Sequence, residues 1–398
     1  MPDDKTFMQR ALTLAAKGKG RTSPNPAVGA VIVKNNKIIA GGYHKKAGTP
    51  HAEILALKKA GAKARGATLY VNLEPCCHTG KKTPPCTKAI IKAGIKKVVT
   101  AMIDPNSKVS GRGIRELQNA GIETRVGIMR TEAKRLNEAF IKFITKKEPF
   151  VILKVAQSLD GKIATAKGES KWITGEDARK YVHKLRNEVD AVLVGIGTVK
   201  KDNPSLTCRI KGGRNPFRVI VDSALRIPLN AKVLKHKDGK TIIAAISPNP
   251  PTSPFEKGGC RGIIKSRFGE GRYRGIFSKK FLADYQKKID LLRNRGVQIL
   301  ITKKDKNGMV NLKSLMKELA KLDISSVMIE GGSSINASAV SNGIVDKIMM
   351  FTACKIIGGT DAVPSFGGKS IASINRAKTL RNVKIRTIGS DILIEGYV

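Results

Sequence analysis

The chain has 398 residues, 41% of them hydrophobic, which is too long for one ordinary hydrophobic core. Its six cysteines do not resemble a disulfide framework, its first residues do not resemble a signal peptide, and no apolar run reaches the roughly 20 residues of a membrane span. These observations argue against secreted disulfide scaffolds and membrane proteins, and we expect a cytoplasmic protein of two domains.

The charge is strongly positive, because 74 Lys and Arg oppose 31 Asp and Glu to give a formal net charge of +43. Such a charge attracts RNA, anionic membrane surfaces and phosphorylated metabolites. The basic residues are spread over nearly every segment, however, with little aromatic interleaving and a single Trp. They favour solvated lysine faces, and we expect neither nucleic acid nor a membrane among the partners.

Helix and strand patterns alternate along residues 1–147. A helix is predicted over 6–17, strands over 27–33 and 37–41, a helix from 51, a strand over 67–73 and helices over 87–93 and 114–120, with 111–113 as a loop. This alternation indicates a sheet covered by helices. The polar run 142–149 ends in a proline, so we place the domain boundary between residues 147 and 148.

The most informative feature is the tripeptide His51-Ala52-Glu53, followed by Cys76 and Cys86. One imidazole and two thiolates can hold zinc with its fourth position open to water, whose pKa the metal lowers to about 7. Glu53, kept off the metal, is placed to pass a proton from that water to the substrate ring and the leaving ammonia. The pattern predicts a hydrolytic deaminase with Glu53 catalytic and His51, Cys76 and Cys86 as zinc ligands.

Alternatives to this interpretation stay open. Cys77 and His78 are rival donors, and Cys77 could replace Cys76. A closed structural zinc site would need a fourth protein ligand and would have no use for Glu53. An RNA or nucleoside deaminase would share the chemistry, but such enzymes usually carry a Pro-Cys-x-x-Cys pair, whereas nine residues separate Cys76 from Cys86 here.

The second part, residues 148–398, continues the alternation of strands and helices. Strands are predicted over 150–156, 191–195, 217–222, 241–246 and 324–329, and helices over 177–187 and from 336. The last strand leads into Gly331 and Gly332, where backbone N–H groups at a helix start could cradle a phosphate, although a tight turn explains the glycines about as well. The absence of Gly-x-Gly-x-x-Gly argues against a standard Rossmann site.

Residues 248–280 interrupt this rhythm with proline-rich and Arg/Gly-rich runs that lack apolar periodicity. We interpret them as an inserted, mobile, basic loop with no catalytic part. An RNA-binding segment is the alternative.

Motifs in both parts, in the same order, resemble the bifunctional deaminase-reductases of riboflavin biosynthesis over nearly the whole chain. The matching stretches are 23–26, 28–29, 42–44, 51–53, 74–76 and 83–86 in the first part, and 154, 158–161, 170–174, 197–199, 202–207 and 330–332 in the second. The resemblance implies an α/β protein with a cytidine-deaminase-like three-layer domain and a dihydrofolate-reductase-like α/β domain. The first would remove the 2-amino group of 2,5-diamino-6-(5-phosphoribosylamino)pyrimidin-4-one, and the second would use NADPH to reduce the ribosyl group of the product to ribityl.

The resemblance also assigns site residues by position. NADPH contacts are implied at Ala156, Trp172, Thr198, Asp202, Ser223, Gly332, Ser333 and Ser334. Substrate contacts are implied at Asn25, which would orient the pyrimidine, and at Lys154, Ser170, Arg186, Leu206, Arg209 and Glu330. Besides a phosphorylated pyrimidine substrate, we expect a second copy of the chain as a partner.

Residue chemistry leaves some of these roles open. Arg186 and Arg209 offer the bidentate fork that suits a phosphate, but they could instead be an exposed helix charge and a loop charge. Trp172 could pack in the core. Asp202 could merely cap a turn.

Overall fold

The computed structural model describes residues 3–78, 84–247 and 279–398. Nearly all of the interpreted insertion, 248–280, lies outside the described residues, as does part of the stretch between Cys76 and Cys86. Among the residues described, no helix combines the length and the apolar character needed to cross a membrane.

The first part forms a sheet in the order β2-β1-β3-β4-β5, in which β1 runs antiparallel to β2 and β3, and β3, β4 and β5 are parallel. Its elements are α1 Asp4–Ala16, β1 Gly29–Lys34, β2 Lys37–Tyr43, α2 Ala52–Ala60, β3 Thr68–Val71, α3 Cys86–Lys92, β4 Lys97–Thr100, α4 Arg112–Asn119, β5 Glu123–Val126, α5 Arg130–Leu136 and α6 Glu138–Lys146.

The second part forms a larger sheet in the order β11-β10-β9-β8-β12-β6-β13-β16-β15, parallel from β11 to β13 and antiparallel beyond. Its elements are β6 Phe150–Gln157, β7 Lys162–Ala164, α7 Glu176–Glu188, β8 Ala191–Gly195, α8 Ile196–Asp202, β9 Phe217–Val221, β10 Thr241–Ile246, α9 Lys279–Arg293, β11 Val297–Thr302, α10 Leu312–Lys321, β12 Ser326–Ile329, α11 Ser333–Ser341, β13 Lys347–Ala353, β14 Val363–Pro364, β15 Arg381–Ile388 and β16 Asp391–Tyr397.

The larger sheet is buried on both faces, which explains its continuous apolar strands. Successive residues of β6 alternate between two cores: Phe150 and Ile152 join one cluster, and Val151 and Leu153 join the other. The parallel strands therefore carry helices on both sides, and their carboxyl ends meet at one edge.

Helix starts are where the predictions needed correction. The segment 111–113 was predicted as a loop, but α4 begins at Arg112, and α11 begins at Ser333 rather than at residue 336. Strand β5, whose residues are largely exposed, and the antiparallel pair β15 and β16 were not predicted.

The two parts contact each other through polar side chains. Ser23 Oγ donates to Asp190 Oδ2 at 2.7 Å, and Lys142 Nζ lies 2.7 Å from Asp346 Oδ2. A cavity of about 310 Å³ lies between the parts, and Asn25 is on its wall. We propose the domain boundary between residues 147 and 148, in the turn that joins α6 to β6.

Candidate active sites

The predicted zinc ligands come together at one end of the smaller sheet. His51 directly precedes α2 and accepts the Leu55 N–H through its carbonyl, Cys76 follows β3, and Cys86 is the first residue of α3. His51 Nδ1 lies 3.2 Å from Cys86 Sγ and 3.6 Å from Cys76 Sγ, and all three donor atoms lie within 4.8 Å of one another.

This geometry suits a tetrahedral zinc ion. Zn–N and Zn–S bonds of ordinary length at a tetrahedral angle place the two donor atoms about 3.6 Å apart. Among the described residues, no fourth His, Cys, Asp or Glu joins the cluster, and Cys77 is not part of it. A zinc ion held by these three donors would have a fourth position for water or substrate, as in catalytic zinc sites.

The electrostatics of the thiols also favour a bound cation. The hydrogen bond with Cys76 and burial hold the pKa of the Cys86 thiol well above its usual value. Two adjacent buried sulfurs therefore become thiolates together only when a metal compensates their charge.

Glu53 lies in the first turn of α2, two residues after His51, and is 3% exposed. Its Oε2 has no hydrogen-bond partner, and burial, reinforced by Cys76, raises the pKa of its carboxyl. A carboxyl that is buried, off the metal and ready to hold a proton suits proton transfer at a zinc site.

Glu74 has a positioning role that the sequence did not reveal. Its carboxylate accepts the N–H groups of Asp104, Gly111, Gly113 and Ile114 at 2.9 to 3.2 Å, so it caps α4 from outside the helix. A Cβ on Gly113 would lie 2.2 Å from the Pro75 carbonyl oxygen, which explains the glycine. Glu74 thus fixes the segment that leads to Cys76.

The second candidate site lies at the carboxyl edge of the larger sheet, around the ends of β6, β8 and β12. Gly332 lies beside Thr198, because a Cβ built on it would be 3.5 Å from Thr198 Oγ1. Ser170 Oγ donates to Asp202 Oδ1 at 3.4 Å. Gly332 therefore lies next to Thr198, and Ser170 lies next to Asp202. The family resemblance assigned all four residues to cofactor or substrate binding.

Three largely buried charges form the centre of this site. Arg186 donates two hydrogen bonds to the Glu330 carboxylate, through Nε at 2.6 Å and through Nη2 at 2.9 Å. Its Nη1 donates to the Thr207 carbonyl at 3.0 Å. Lys154 Nζ lies 3.7 Å from Glu330 Oε2. Burial opposes the charge on Glu330, but Arg186 and Lys154 outweigh it and lower the pKa of this carboxyl to about 2. Burial lowers the pKa of Lys154.

Arg186 and Arg209 differ in their freedom to bind a phosphate. The Arg186 side chain is 14% exposed and engaged by Glu330, so the interpretation as an exposed helix charge is wrong. Arg209 is exposed, and in the described part of the chain it has no hydrogen bond or ion pair. Burial and, after it, the charges of Arg186 and Arg209 lower the pKa of His183, which indicates that both guanidinium groups lie in its surroundings.

Trp172 does not pack in the core, since 60% of it is exposed. Cζ of Arg179 lies 4.5 Å from its ring centroid, and Lys355 Nζ donates to its carbonyl at 3.2 Å. The indole therefore lies at the surface, with Arg179 over its ring and Lys355 bound to the backbone carbonyl of the same residue.

The remaining assigned residues are distributed around these centres. Ser333 and Ser334 lie in the first turn of α11 rather than in a loop. A Cβ on Gly331 would lie 1.6 Å from Cγ2 of Ile335, so a larger residue there would require Ile335 to move. Ser223 follows β9, and its Oγ accepts the Val310 N–H at 3.0 Å. Leu206 is buried, Ala156 is near the end of β6, and Asn25 is exposed on the wall of the cavity between the domains.

Comparison with known families matches both halves of the chain. The family described as RibD C-terminal domain matches residues 149–256 and 273–394, and the cytidine and deoxycytidylate deaminase zinc-binding region matches residues 1–102. The gap in the first match lies within the segment interpreted as an insertion. The chain therefore combines a cytidine-deaminase-like domain with a reductase-like α/β domain, as its motifs predicted.

Similar proteins cover almost the whole chain. The riboflavin biosynthesis protein RibD of Aquifex aeolicus is 44% identical over 98% of this chain and 97% of its own length, and that of Actinobacillus pleuropneumoniae is 40% identical over 99% and 95%. The structure of Acinetobacter baumannii RibD superposes with a TM-score of 0.81 at 36% identity, covering 99% of this chain and 98% of that one. The Thermotoga maritima diaminohydroxyphosphoribosylaminopyrimidine deaminase/5-amino-6-(5-phosphoribosylamino)uracil reductase gives 0.79 at 38%, with the same two coverages.

Proposed function

We propose roles for individual residues on the premise that this chain belongs to the RibD family and is a bifunctional deaminase and reductase of riboflavin biosynthesis. The observation that carries the assignment is the presence of two separate clusters. One is the set of His51, Cys76 and Cys86 beside Glu53, and the other is the largely buried set of Lys154, Arg186 and Glu330.

In the deaminase half, His51, Cys76 and Cys86 hold zinc, which when bound supplies a Lewis acid that activates water. Glu53 would carry two protons in turn through its carboxyl: the first is taken from the attacking water and given to the ring, and the second is taken from the resulting hydroxyl group and given to the amino group, which leaves as ammonia. Asn25 orients the pyrimidine of 2,5-diamino-6-(5-phosphoribosylamino)pyrimidin-4-one. The support is the donor geometry and the unpartnered Glu53 oxygen.

In the reductase half, NADPH when bound supplies the hydride that converts the ribosyl group to ribityl. We place the cofactor against Ala156, Trp172, Thr198, Asp202, Ser223 and the helix start at Gly332, Ser333 and Ser334, where backbone N–H groups suit a pyrophosphate. Support comes from the closeness of Gly332 to Thr198 and of Ser170 to Asp202.

The substrate of the second reaction lies against Lys154, Ser170, Leu206, Arg209 and Glu330. Arg209 takes the phosphate, because its guanidinium has no competing ion pair among the described residues, and Arg186 acts mainly by holding Glu330. Lys154 lies beside the ribose as a buried cation that can hold and donate a proton through Nζ.

A second copy of the chain is the partner we propose besides these small molecules. Strand β15 forms the edge of the larger sheet, and its Val383 and Ile385 are 48% and 69% exposed. An exposed edge of this kind favours strand pairing between copies. We propose the cytoplasm as the location, supported by the described cysteines, none of which is in a disulfide.

The test is an assay of the purified chain with the diaminopyrimidine nucleotide, with and without NADPH. We expect ammonia release without NADPH and NADPH consumption only after deamination. RNA and free cytidine serve as controls, and their deamination in place of the nucleotide would favour the alternative of an RNA or nucleoside deaminase.

A further inference from the structure

Helix α7 presents a row of side chains to the reductase site. Arg179, His183 and Arg186 are spaced by four and three residues, which places them on one face of the helix. Arg186 holds Glu330 at one end of the row, and the pKa of His183 is lowered by burial and by Arg186 and Arg209 near the middle. Arg179, at the other end, has no role in the family-based assignment.

Arg179 contacts the segment that carries two assigned residues, Ser170 and Trp172. Its guanidinium lies over the indole at 4.5 Å, and its Nη1 donates to the Thr174 carbonyl at 2.7 Å. The same side chain therefore touches both the ring and the backbone two residues later. A planar guanidinium can stack and donate at once, whereas an ammonium is a compact point charge.

The rest of this segment is already attached. Ser170 Oγ donates to Asp202, Lys355 Nζ donates to the Trp172 carbonyl, and the Gly175 N–H donates to Asp391 Oδ2 at 2.7 Å. These bonds hold the segment in place. Trp172 itself is 60% exposed, and the Arg179 guanidinium over the face of its ring is the contact that restrains the orientation of the ring.

We propose that Arg179 is a positioning residue for the cofactor: it holds the Trp172 ring in the orientation that receives NADPH, without touching the cofactor itself. The inference rests on the proposed function, because the contact between Trp172 and NADPH is part of that proposal. Lowering the rotational freedom of an exposed indole before binding reduces the entropy that binding must remove.

The single Trp of the chain makes this measurable, because the intrinsic tryptophan fluorescence reports on Trp172 alone. The full chain and its Arg179→Met, Arg179→Lys and Lys180→Met variants are titrated with NADPH while Trp emission is followed. Lys180 is the matched control, since it is the next cation on α7 and its Nζ is paired with Glu176 at 2.8 Å, away from the site.

For Arg179→Met we expect a red-shifted Trp emission before NADPH is added and a KM for NADPH about three- to fivefold higher, with a smaller change in kcat. Arg179→Lys should recover part of the KM effect, and Lys180→Met should behave as the parent. Circular dichroism and the melting temperature, measured in the same preparations, report that each variant is folded.

The coupling between the two residues is tested by adding Arg179→Met to Trp172→Phe. If Arg179 acts through the indole, the two KM effects will be clearly non-additive. Unchanged KM and emission in Arg179→Met, or a raised KM that is fully additive with Trp172→Phe, overturns the inference, the latter because Arg179 would then contact the cofactor directly.

Failure of the underlying proposal looks different. If the parent enzyme oxidises NADPH but its Trp emission does not respond to the cofactor, Trp172 is not at the cofactor and the inference falls while the reductase function stands. If NADPH is not consumed with the deaminated substrate, the proposed function itself is wrong.

Discussion

Single residues show that the two sites use buried carboxyl groups in opposite ways. The carboxyl of Glu53 is buried with one oxygen unpartnered, and its pKa is raised. The side chain of Glu330 is 8% exposed, but Arg186 and Lys154 lower the pKa of its carboxyl to about 2. Glu53 is therefore suited to exchange a proton, and Glu330 to remain a charge that holds cations in place.

Replacing Glu53 by Gln keeps the size of the side chain and removes the proton carrier. We expect zinc to stay bound and deamination to fall by about 10² or more, while the already deaminated nucleotide is reduced with NADPH at close to the normal rate. Metal analysis and the two separate assays check this. Collapse of both activities in a folded, zinc-loaded variant would contradict the two-site arrangement.

The choice of thiol ligand is testable at Cys76 and Cys77. Because Cys77 lies outside the donor cluster, Cys77→Ser should retain one zinc per chain, whereas Cys76→Ser, Cys86→Ala and His51→Ala should lose it. Zinc content of the purified variants decides the matter. A loaded Cys76→Ser beside an empty Cys77→Ser would reverse the assignment.

Glu330→Gln should be strongly destabilising, by about 3 kcal/mol, because it leaves Arg186 and Lys154 buried without their counter-charge. The pKa of Glu330 is lower in the folded chain than the value of about 4.3 usual for an unfolded one, so its stabilisation is complete above that value and is lost as the pH falls toward 2. Urea unfolding should thus show a larger difference between parent and variant at about pH 7 than at about pH 3. A difference independent of pH would contradict this account.

At the level of elements, α4 depends on a carboxylate that belongs to another segment. Glu74 accepts the N–H groups of Gly111, Gly113 and Ile114, which a helix start otherwise leaves unsatisfied. The helix therefore begins two residues earlier than its own amphipathic pattern indicates. The same carboxylate stiffens the exit of β3, from which Cys76 reaches the metal cluster.

Disturbing this contact should loosen the metal site without touching a ligand. We expect Glu74→Gln, whose amide places N–H groups against N–H donors, and Gly113→Ala, whose Cβ would meet Pro75, to lower stability by about 2 kcal/mol and to release zinc faster to a chelator. Glu116→Gln, on α4 itself, is the matched control and should release zinc at the parent rate. If all three variants release zinc at the same rate, the contact between Glu74 and the start of α4 does not act on Cys76.

For the whole molecule, the domains are joined by buried polar contacts. Asp190 accepts hydrogen bonds from Ser23 of the first domain and from Ser325 and Ser326, at 2.7 to 3.1 Å. Because Asp190 directly precedes β8 and Ser326 begins β12, this carboxylate ties the deaminase loop to the centre of the reductase sheet.

Asp190→Asn should weaken both domains, since several donors lose a charged acceptor. We expect a loss of about 1 to 3 kcal/mol and a parallel decline of deaminase and reductase activity on heating. Asp305→Asn, in a turn remote from the contact between the domains, is the control. Loss of one activity at a markedly lower temperature than the other would show that the domains unfold independently.

Local patterns in the sequence were enough for much of the architecture and the chemistry. The apolar run at 150–156 predicted β6, because a strand buried on both faces needs continuous apolar residues. His51, Cys76 and Cys86 were predicted to lie together because few residue types bind zinc, and their donor atoms do form one cluster. The order of the motifs indicated the family.

The tertiary structure decided what depends on partners far away in the chain. Arg186 pairs with Glu330, 144 positions away, so an arginine that looked suited to a phosphate is engaged by a carboxylate. The start of α4 depends on Glu74, and Trp172 is contacted at its ring by Arg179 and at its carbonyl by Lys355. The type of a residue limits the contacts that it can make. The sheet topology decides which residues come together, because strands far apart in the sequence become neighbours at one edge of the sheet.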